Sequence, residues 1–405
     1  MTTHEGGRGG PPRATGPMIF ILTLAMALPM LLLYAIGVLG PVLVSDLRIS
    51  RSTLGSLTAV CFAVAAVLSL WAGQGVGRIG ARRATIALFG VVALSFGLIS
   101  VSTSFAMLVA GVALCGLAQA LANPATNKVI ALHVPPERRG SVVGAKQSGV
   151  QLAALVAGAA LPTAAVLLGW RGALALVIPV SLVALAVSWS VIPGEQPAPL
   201  AAGWSKLVRP NAKLSWLMLY QLFLGAGLAA FTTFLPLYAT EQLATGEQQA
   251  ALMIAGFGIA GIVARIGWTS LAGKLAEPHG LLLGLALAAA VFVGAVWASG
   301  WFGLLPAWIG SIGIGSTAVA ANAVCMLAVV RDRSYGQVTH ASALASLAFF
   351  SGFVVSPPLV GAVADAAGGL GAAWPVLALE LVLAGGCAVG LRRASVAVRA
   401  AEDAR

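Results

Sequence analysis

Residues 76–80 read VGRIG and residues 272–276 read AGKLA, each a short turn between long apolar runs, so Gly77-Arg78 and Gly273-Lys274 stand 196 residues apart. The same interval of 196 separates both ends of another pair of runs, Gly140 to Pro162 and Gly336 to Pro358. Three landmarks at one spacing divide the chain into two alike halves. Outward from these turns, apolar runs bounded by charge or Gly/Pro cover 17–44, 52–76, 84–103, 105–132, 140–168, 172–192, 214–239, 249–275, 280–299, 303–330, 336–363 and 371–391. Runs of about 20 apolar residues are long enough to cross a hydrocarbon layer of roughly 30 Å. They exceed the length of barrel strands, and backbone polar groups in lipid must be satisfied within the segment, so the runs are helices. The sequence therefore predicts an all-α membrane protein of twelve transmembrane helices in two six-helix pseudo-repeat bundles.

Composition points the same way. Of 405 residues, 59% are hydrophobic and 9% charged, with a mean hydropathy of +0.97; no soluble domain of this size covers such an interior with polar surface. The net charge of +11 does not indicate nucleic acid, because the basic residues sit in short loops between apolar runs. The partners expected are the lipid bilayer and a small solute. Cys61, Cys115, Cys325 and Cys387 each lie in a different apolar run, which fits reduced structural thiols and neither a metal site nor a disulfide framework. No cofactor or metal is expected.

The polar opening, residues 1–16, lacks an apolar core for a signal peptide and reads as a disordered cytosolic tail. The first bundle spans 17–192, a cytosolic linker 193–213, the second bundle 214–391, and a cytosolic tail 392–405. With the amino terminus in the cytosol, seventeen Lys and Arg residues fall on that side, Arg8, Arg13, Lys206 and Arg405 among them, against Arg48, Arg51 and Arg171 outside. The positive-inside rule then places both termini in the cytosol.

The loop Gly73-Gln-Gly-Val-Gly77-Arg78-Ile-Gly80-Ala-Arg82-Arg83 resembles the signature loop of the major facilitator superfamily. Arg139-Gly140, Gly169-Trp170-Arg171 and Pro357-Pro358-Leu-Val-Gly361 with Asp365 add to the resemblance, which covers all twelve runs. It implies a bacterial carrier of the cytoplasmic (inner) membrane, with a solute site between two rocking bundles. It also implies a gating loop formed by Gly73, Gly77, Arg78, Gly80, Arg82 and Arg83, matched in the second half by Gly273 and Lys274. The chain departs from the family at one point: Gly77 and Gly273 occupy the places where relatives carry an aspartate that latches the halves. Arg78, Arg82 and Arg83 are left to pair with acids such as Glu137 or Asp332, or to serve only as orientation charges. The run Gly144-Ala-Lys146-Gln147-Ser-Gly149-Val-Gln151 is similar to one in the branch holding cyanate and nitroimidazole-type carriers. The drug-antiporter pattern of the fifth helix is degenerate, with Thr163 and Ala164 after Pro162.

Ionisable residues inside spans are costly and point to function. Those within the runs are Lys128, Lys146, Arg265 and Glu380, with His340 near an end. In the family arrangement Lys146 and Arg265 lie on neighbouring helices flanking the central cavity, with no acid at comparable depth on a cavity helix. Two uncompensated cations in a low-dielectric cavity call for an anion. The other reading of Lys146 is a stem snorkelling to the surface, and of Arg265 a structural pair. Gln119, Asn123 and Asn127 share one face of the fourth helix and Gln147 and Gln151 one face of the fifth, as cavity donors or as interhelical bonds. Asn322 stands near the repeat position of Asn127, and Tyr34 and Tyr220 are further candidates to line the cavity. Lys128 reads as an anchor at its helix end. The expected function is a secondary active transporter for a small organic anion, working by alternating access, with a coupling proton left open. Export of a drug or metabolite is the alternative. A membrane enzyme or receptor is disfavoured because no catalytic cluster stands in the spans.

Overall fold

A computed structural model describes residues 16–195, 209–275, 277–336 and 338–403. The opening tail with Arg8 and Arg13, most of the linker with Lys206, and Arg405 lie outside the described residues; Glu137, His340 and Arg399 lie outside the described side chains.

The described chain is helical throughout. In order come α1 (Gly16–Val38), α2 (Gly40–Leu47), α3 (Arg51–Ile79), α4 (Ala81–Ser100), α5 (Phe105–His133), α6 (Pro136–Ala175) and α7 (Val177–Val191). The second half holds α8 (Ala212–Gln242), α9 (Glu247–Lys274), α10 (His279–Phe302), α11 (Leu304–Arg331), α12 (Val338–Ala366) and α13 (Trp374–Asp403). Two details differ from the sequence expectation. The first run breaks at Leu39, where Pro41 starts the separate short helix α2, since proline favours a first turn and lacks the N–H that would continue a helix. The fifth and sixth runs follow each other without a loop, two helices meeting at a kink at Gly169, which sits at φ 71, ψ 163. That left-handed turn suits glycine and reverses the chain, so α6 holds one full pass and the start of the next. Twelve passes result. The last helix continues beyond its expected end, through Arg392 and Arg393.

Packing repeats the internal symmetry. In the first half α3 packs on α5, α4 on α5 and α7, and α1 on α6; in the second half α9 packs on α11, α10 on α11 and α13, and α8 on α12. The halves meet along two seams that the repeat interchanges, α3 against α12 and α6 against α9, with α1 against α8 between them. Helices α1 and α8 are buried over most of their length. The outside carries exposed Val166, Leu167, Ile266 and Phe302, the surface a hydrocarbon solvent requires. The four cysteines are buried and free.

One end of the bundle, called the basic end here, gathers Arg78, Arg82, Arg83, Lys274 and Arg331; the far end carries Arg48, Arg51 and Arg171. Helix association in lipid relies on close backbone contact through small residues, and the far half of every seam shows it. A Cβ on Gly37 of α1 would meet Thr232 O of α8. On Gly55 of α3 it would lie 2.4 Å from Pro357 O of α12, on Gly158 of α6 2.4 Å from Ala251 O of α9, and on Gly258 of α9 2.8 Å from Gln151 O. Toward the basic end the same stripes open. Gly73 and Gly77 continue the face of α3 that holds Gly55, and Gly144 continues the face of α6 that holds Gly158; a Cβ on any of these three meets nothing within 4 Å. The halves are closed at the far end and parted at the basic end.

Candidate functional site

The polar side chains singled out on α5, α6 and α9 converge between the halves. Lys146 is fully buried. Its ammonium does not snorkel to the surface. It turns to α5 and donates to Asn127 Oδ1 at 2.6 Å, Thr126 Oγ1 at 2.7 Å and Asn123 Oδ1 at 3.3 Å. Three N–H donors meet three neutral oxygens, so the charge is hydrogen-bonded but not neutralised. Gln147 Nε2 also donates to Asn123 Oδ1, at 3.1 Å. Across the seam Arg265 Nη1 donates to the backbone carbonyl of Gln147 at 3.1 Å. Lys146, Asn123, Gln147 and Arg265 thus form one connected layer, ten residues from the start of α6 and nine from the end of α9, about 15 Å from the basic end at 1.5 Å per residue. Among the described residues no carboxylate pairs with either cation.

One turn further toward the far end lie Gln119 of α5, four residues from Asn123, and Gln151 of α6, four from Gln147. Both are buried. Gln119 Nε2 rests on Met30 Sδ at 3.2 Å, while Gln119 Oε1 and Gln151 Oε1 have no hydrogen-bond partner, and neither does Arg265 Nε. Tyr34 of α1 is buried, its ring centre 6.3 Å from that of Phe257 on α9. Asn322 is half-buried on α11 and makes no hydrogen bond to the cluster. Its repeat position at the 196 interval is Thr126, a Lys146 acceptor that the sequence reading passed over. Tyr220 does not line this space; its hydroxyl donates to Leu282 O at 2.9 Å inside the second bundle. Glu380 stands apart on α13, close to Ser356 of α12.

The gating-loop residues fall at the basic end. Gly80, at φ 90, makes the turn between α3 and α4. The guanidinium of Arg82 lies over Trp189 of α7 at 4.6 Å, while Arg78, Arg83, Gly273 and Lys274 are exposed or nearly so. None of these arginines takes Asp332, which pairs instead with Lys213 at 2.6 Å. The place of the missing aspartate is served by a residue read only as an anchor. Lys128 Nζ reaches Val76 O at 3.3 Å and Gly77 O at 3.4 Å and pairs with Glu195 at 3.0 Å. Glu195 in turn accepts the N–H of Ala81. A cation on the last carbonyls of α3 and a carboxylate on the first N–H groups of α4 both suit the helix dipoles. These groups belong to the first bundle and, with Glu195, to the start of the linker, so they tie the linker to the first bundle and do not join the two halves. In the second half Arg331 donates to Ala272 O at 3.0 Å, the repeat position of Val76.

Contacts between the halves sit elsewhere. At the far end Arg51 Nη2 pairs with Glu241 at 2.8 Å and Nη1 with Asp365 at 3.6 Å. Asp365 also accepts the N–H groups of Arg51 and Ser52. Thr58 meets Thr233 at 3.3 Å, and Thr163 meets Gln248 at 3.2 Å. A separate cavity of about 420 Å³ lies at the basic end of the second bundle, lined by Lys213, Arg331, Asp332 and Tyr335. It lies inside one half and does not touch the layer around Lys146.

Two bundles joined along exchangeable seams around a polar layer are matched by the model of the Major Facilitator Superfamily, which aligns to residues 19–357. The chain belongs to the Major Facilitator Superfamily, a transporter family, which bears out the expectation of a carrier in place of an enzyme. It is similar to a hexuronate transporter of Bacillus subtilis (strain 168), 25% identical over 181 residues, 45% of this chain and 43% of that protein. It is also similar to the transcription regulatory protein OpdE of Pseudomonas aeruginosa, 26% identical over 240 residues, 56% of this chain and 58% of that protein. The chain thus spans about half the length of the curated relatives it matches. Among solved structures, a bacterial homologue of the human lysosomal transporter Spinster, inward-facing and occupied, superposes with a TM-score of 0.72 at 17% identity, covering 93% of this chain and 96% of that one. The nucleoside transporter NupG (D323A mutant) gives 0.72 at 13% identity, covering 92% and 99%. At these identities the likeness is one of fold.

Proposed function

We propose that this protein is a secondary carrier of a small organic anion in the bacterial inner membrane, with its basic end in the cytosol. The observation that carries the reading is the charge of the inter-half layer: Lys146 and Arg265 are held by neutral oxygens, with no paired acid among the described residues. Burying two uncompensated cations is costly, and a carboxylate from the solute supplies the missing charge. The roles of the two differ. Lys146 spends its three donors on α5, so it acts through field and geometry, drawing the oxygens of Asn123 and Asn127 toward itself and turning their N–H groups outward. The Nε–Nη2 edge of Arg265 has no protein acceptor and matches a carboxylate side-on. The partial likeness to a hexuronate transporter supports the same class of solute.

Alternating access is supported by the uneven seams, closed over Gly55, Gly158 and Gly258 and open over Gly73 and Gly144. The crowding of Lys and Arg at one end supports the orientation. With no carboxylate in the layer, a coupling proton has no obvious carrier there, and charge balance falls to the solute and the membrane potential. Uptake of labelled small carboxylates into proteoliposomes tests the reading. Flux is expected in the parent and is expected to fall at least tenfold in Arg265→Ala. Equal anion flux in parent and variant, or flux of cationic drugs in place of anions, overturns it.

A further inference from the structure

Resting on the anion reading above, we infer that the solute is a hydroxylated carboxylate, its hydroxyl groups donating to Gln119 Oε1 and Gln151 Oε1 while its carboxylate lies on Arg265. The geometry is that of two stacked layers. In the lower one Asn123 of α5 and Gln147 of α6 are bonded to each other, and Arg265 reaches the Gln147 carbonyl. Because α5 and α6 run antiparallel, Gln119 and Gln151 both stand one turn beyond that pair, about 5.4 Å toward the far end. They stand at one level, Gln119 against Met30 of α1 and Gln151 against Gly261 of α9. Each is buried, and each leaves its amide oxygen without a donor.

A buried acceptor without a partner is costly, and cavities normally satisfy it with protein or solvent donors. Two such oxygens at one level, beside an arginine with an unpartnered Nε, make a complementary set: donors for one group of a ligand and acceptors for another. A plain fatty or aromatic acid satisfies Arg265 and leaves both amide oxygens empty. A compound with hydroxyl groups a few ångströms from its carboxylate satisfies all three. Gly261 of α9, one turn from Arg265, sets the position of Gln151 by packing closely on it: a Cβ there would lie 3.0 Å from Gln151 Cγ. Any larger residue there pushes Gln151 away from this level.

A site built to hydrogen-bond a hydroxyl rejects analogues that lack it far more strongly than an apolar site rejects an extra one. The test uses the full-length protein in proteoliposomes and two probe sets: glucuronate, galacturonate and gluconate against the hydroxyl-free tetrahydropyran-2-carboxylate and hexanoate. At least one hydroxy acid is expected to be taken up with tenfold or greater preference over both hydroxyl-free acids. Gln151→Leu and Gln119→Leu are expected to erase most of that preference, while Arg265→Lys lowers uptake of both sets alike. Gln151→Asn, which keeps an amide but withdraws the acceptor, is expected to fall between. Equal uptake of the two sets by the parent overturns the inference and leaves the anion reading standing. Failure of every acid to enter overturns both. The parent comparison needs no variant, so a misfolded mutant does not shield the inference.

Discussion

Asp365, at the last turn of α12, caps the helix that Arg51 begins: its carboxylate accepts the N–H of Arg51 at 3.2 Å and of Ser52 at 3.0 Å, and the Arg51 guanidinium returns to it at 3.6 Å. The first N–H groups of a helix lack internal acceptors and favour a negative charge, so this carboxylate ties the second half to the first through backbone and side chain together. Internal symmetry offers no second copy. At the 196 interval Arg51 corresponds to Glu247 and Asp365 to Gly169, and the far end of the α6–α9 seam carries the neutral contact of Thr163 with Gln248 in place of an ion pair. Gly77 and Gly273 leave the basic end without its family acid. Among the described residues the ion pairs between halves therefore lie at the far end and favour the arrangement open to the basic end.

Loosening that tie shifts the balance. The N–H bonds and partly exposed ion pairs together are worth about 1–2 kcal/mol, roughly a tenfold change in the ratio of the two arrangements. Because the four native cysteines are buried, a single Gly73→Cys reports opening of the basic end by thiol labelling. Labelling is expected to slow severalfold when Asp365→Ala or Arg51→Gln is added. An unchanged rate in both would show that the tie does not set the balance.

Lys146 and its acceptors separate charge from packing. Lys146→Met keeps the length of the stem and removes a buried, unneutralised charge, so the fold is expected to hold or gain stability, while affinity for an anionic solute falls about tenfold or more. Asn127→Leu keeps the charge and removes its shortest hydrogen bond, 2.6 Å. It is expected to cost about 1–3 kcal/mol of stability. Thermal unfolding of the purified variants should rank Lys146→Met above Asn127→Leu; the reverse order contradicts the geometry.

Much of this was legible in the sequence, and the limits have physical causes. Length and hydropathy report the solvent, so the twelve passes were readable; the 196 interval then gave the two halves and, through packing, their seams. Gly169 falls between two runs as expected, and its non-helical backbone divides the two helices there. What periodicity cannot show is direction. Gln119, Asn123 and Asn127 share one face in the sequence, but Lys146 takes Asn127 at 2.6 Å, Thr126, adjacent and less polar in appearance, at 2.7 Å and Asn123 at 3.3 Å, and leaves Gln119 to Met30. Lys128 reads as an anchor in the sequence because depth alone is visible there. Its partners Gly77 and Glu195 lie 51 and 67 residues away, and only the fold brings them together. Asp332 went to Lys213 in place of the loop arginines for the same reason.

Acid should loosen the basic end of the second bundle. Partial burial pushes the Asp332 carboxyl up, but hydrogen bonds from Lys213 and from the hydroxyl and N–H of Ser334, with the charge of Lys213, outweigh it and hold it below the usual carboxylate range. A depressed carboxylate contributes stability that is complete above its unfolded value near 4 and is lost as pH falls through the folded value. Stability is therefore expected to be flat in this respect at neutral pH and to decline below about pH 4. Asp332→Asn should reproduce the loss at pH 7, because the Lys213 side chain, 6% exposed, is left without its counter-charge. A drop of a few degrees in Tm at pH 7, with a shallower acid limb than the parent, is the expected pattern; parallel curves for parent and variant would assign the acid sensitivity to other groups.

Gly73 and Gly144 give the sharpest test of movement, because they do nothing in the arrangement described. Each continues a stripe whose far-end members, Gly55 and Gly158, lie so near the opposite half that a Cβ would come within 2.4 Å of its backbone, yet a Cβ on Gly73 or Gly144 meets nothing within 4 Å. Small residues are kept for close approach, and these two have a partner only if the basic end closes. Gly73→Leu and Gly144→Leu should therefore fold normally and bind solute from the basic side with near-parent affinity. Net transport should fall tenfold or more, since a leucine side chain holds apart the seams that must meet. Gly55→Leu and Gly158→Leu make the contrast: a Cβ there already collides with backbone, so loss of folded protein is expected, about 2 kcal/mol or more for each overpacked contact. Binding by calorimetry, transport in proteoliposomes and yield of monodisperse protein distinguish the two pairs. If Gly73→Leu and Gly144→Leu transported at the parent rate, closure at the basic end would not pass through these stripes.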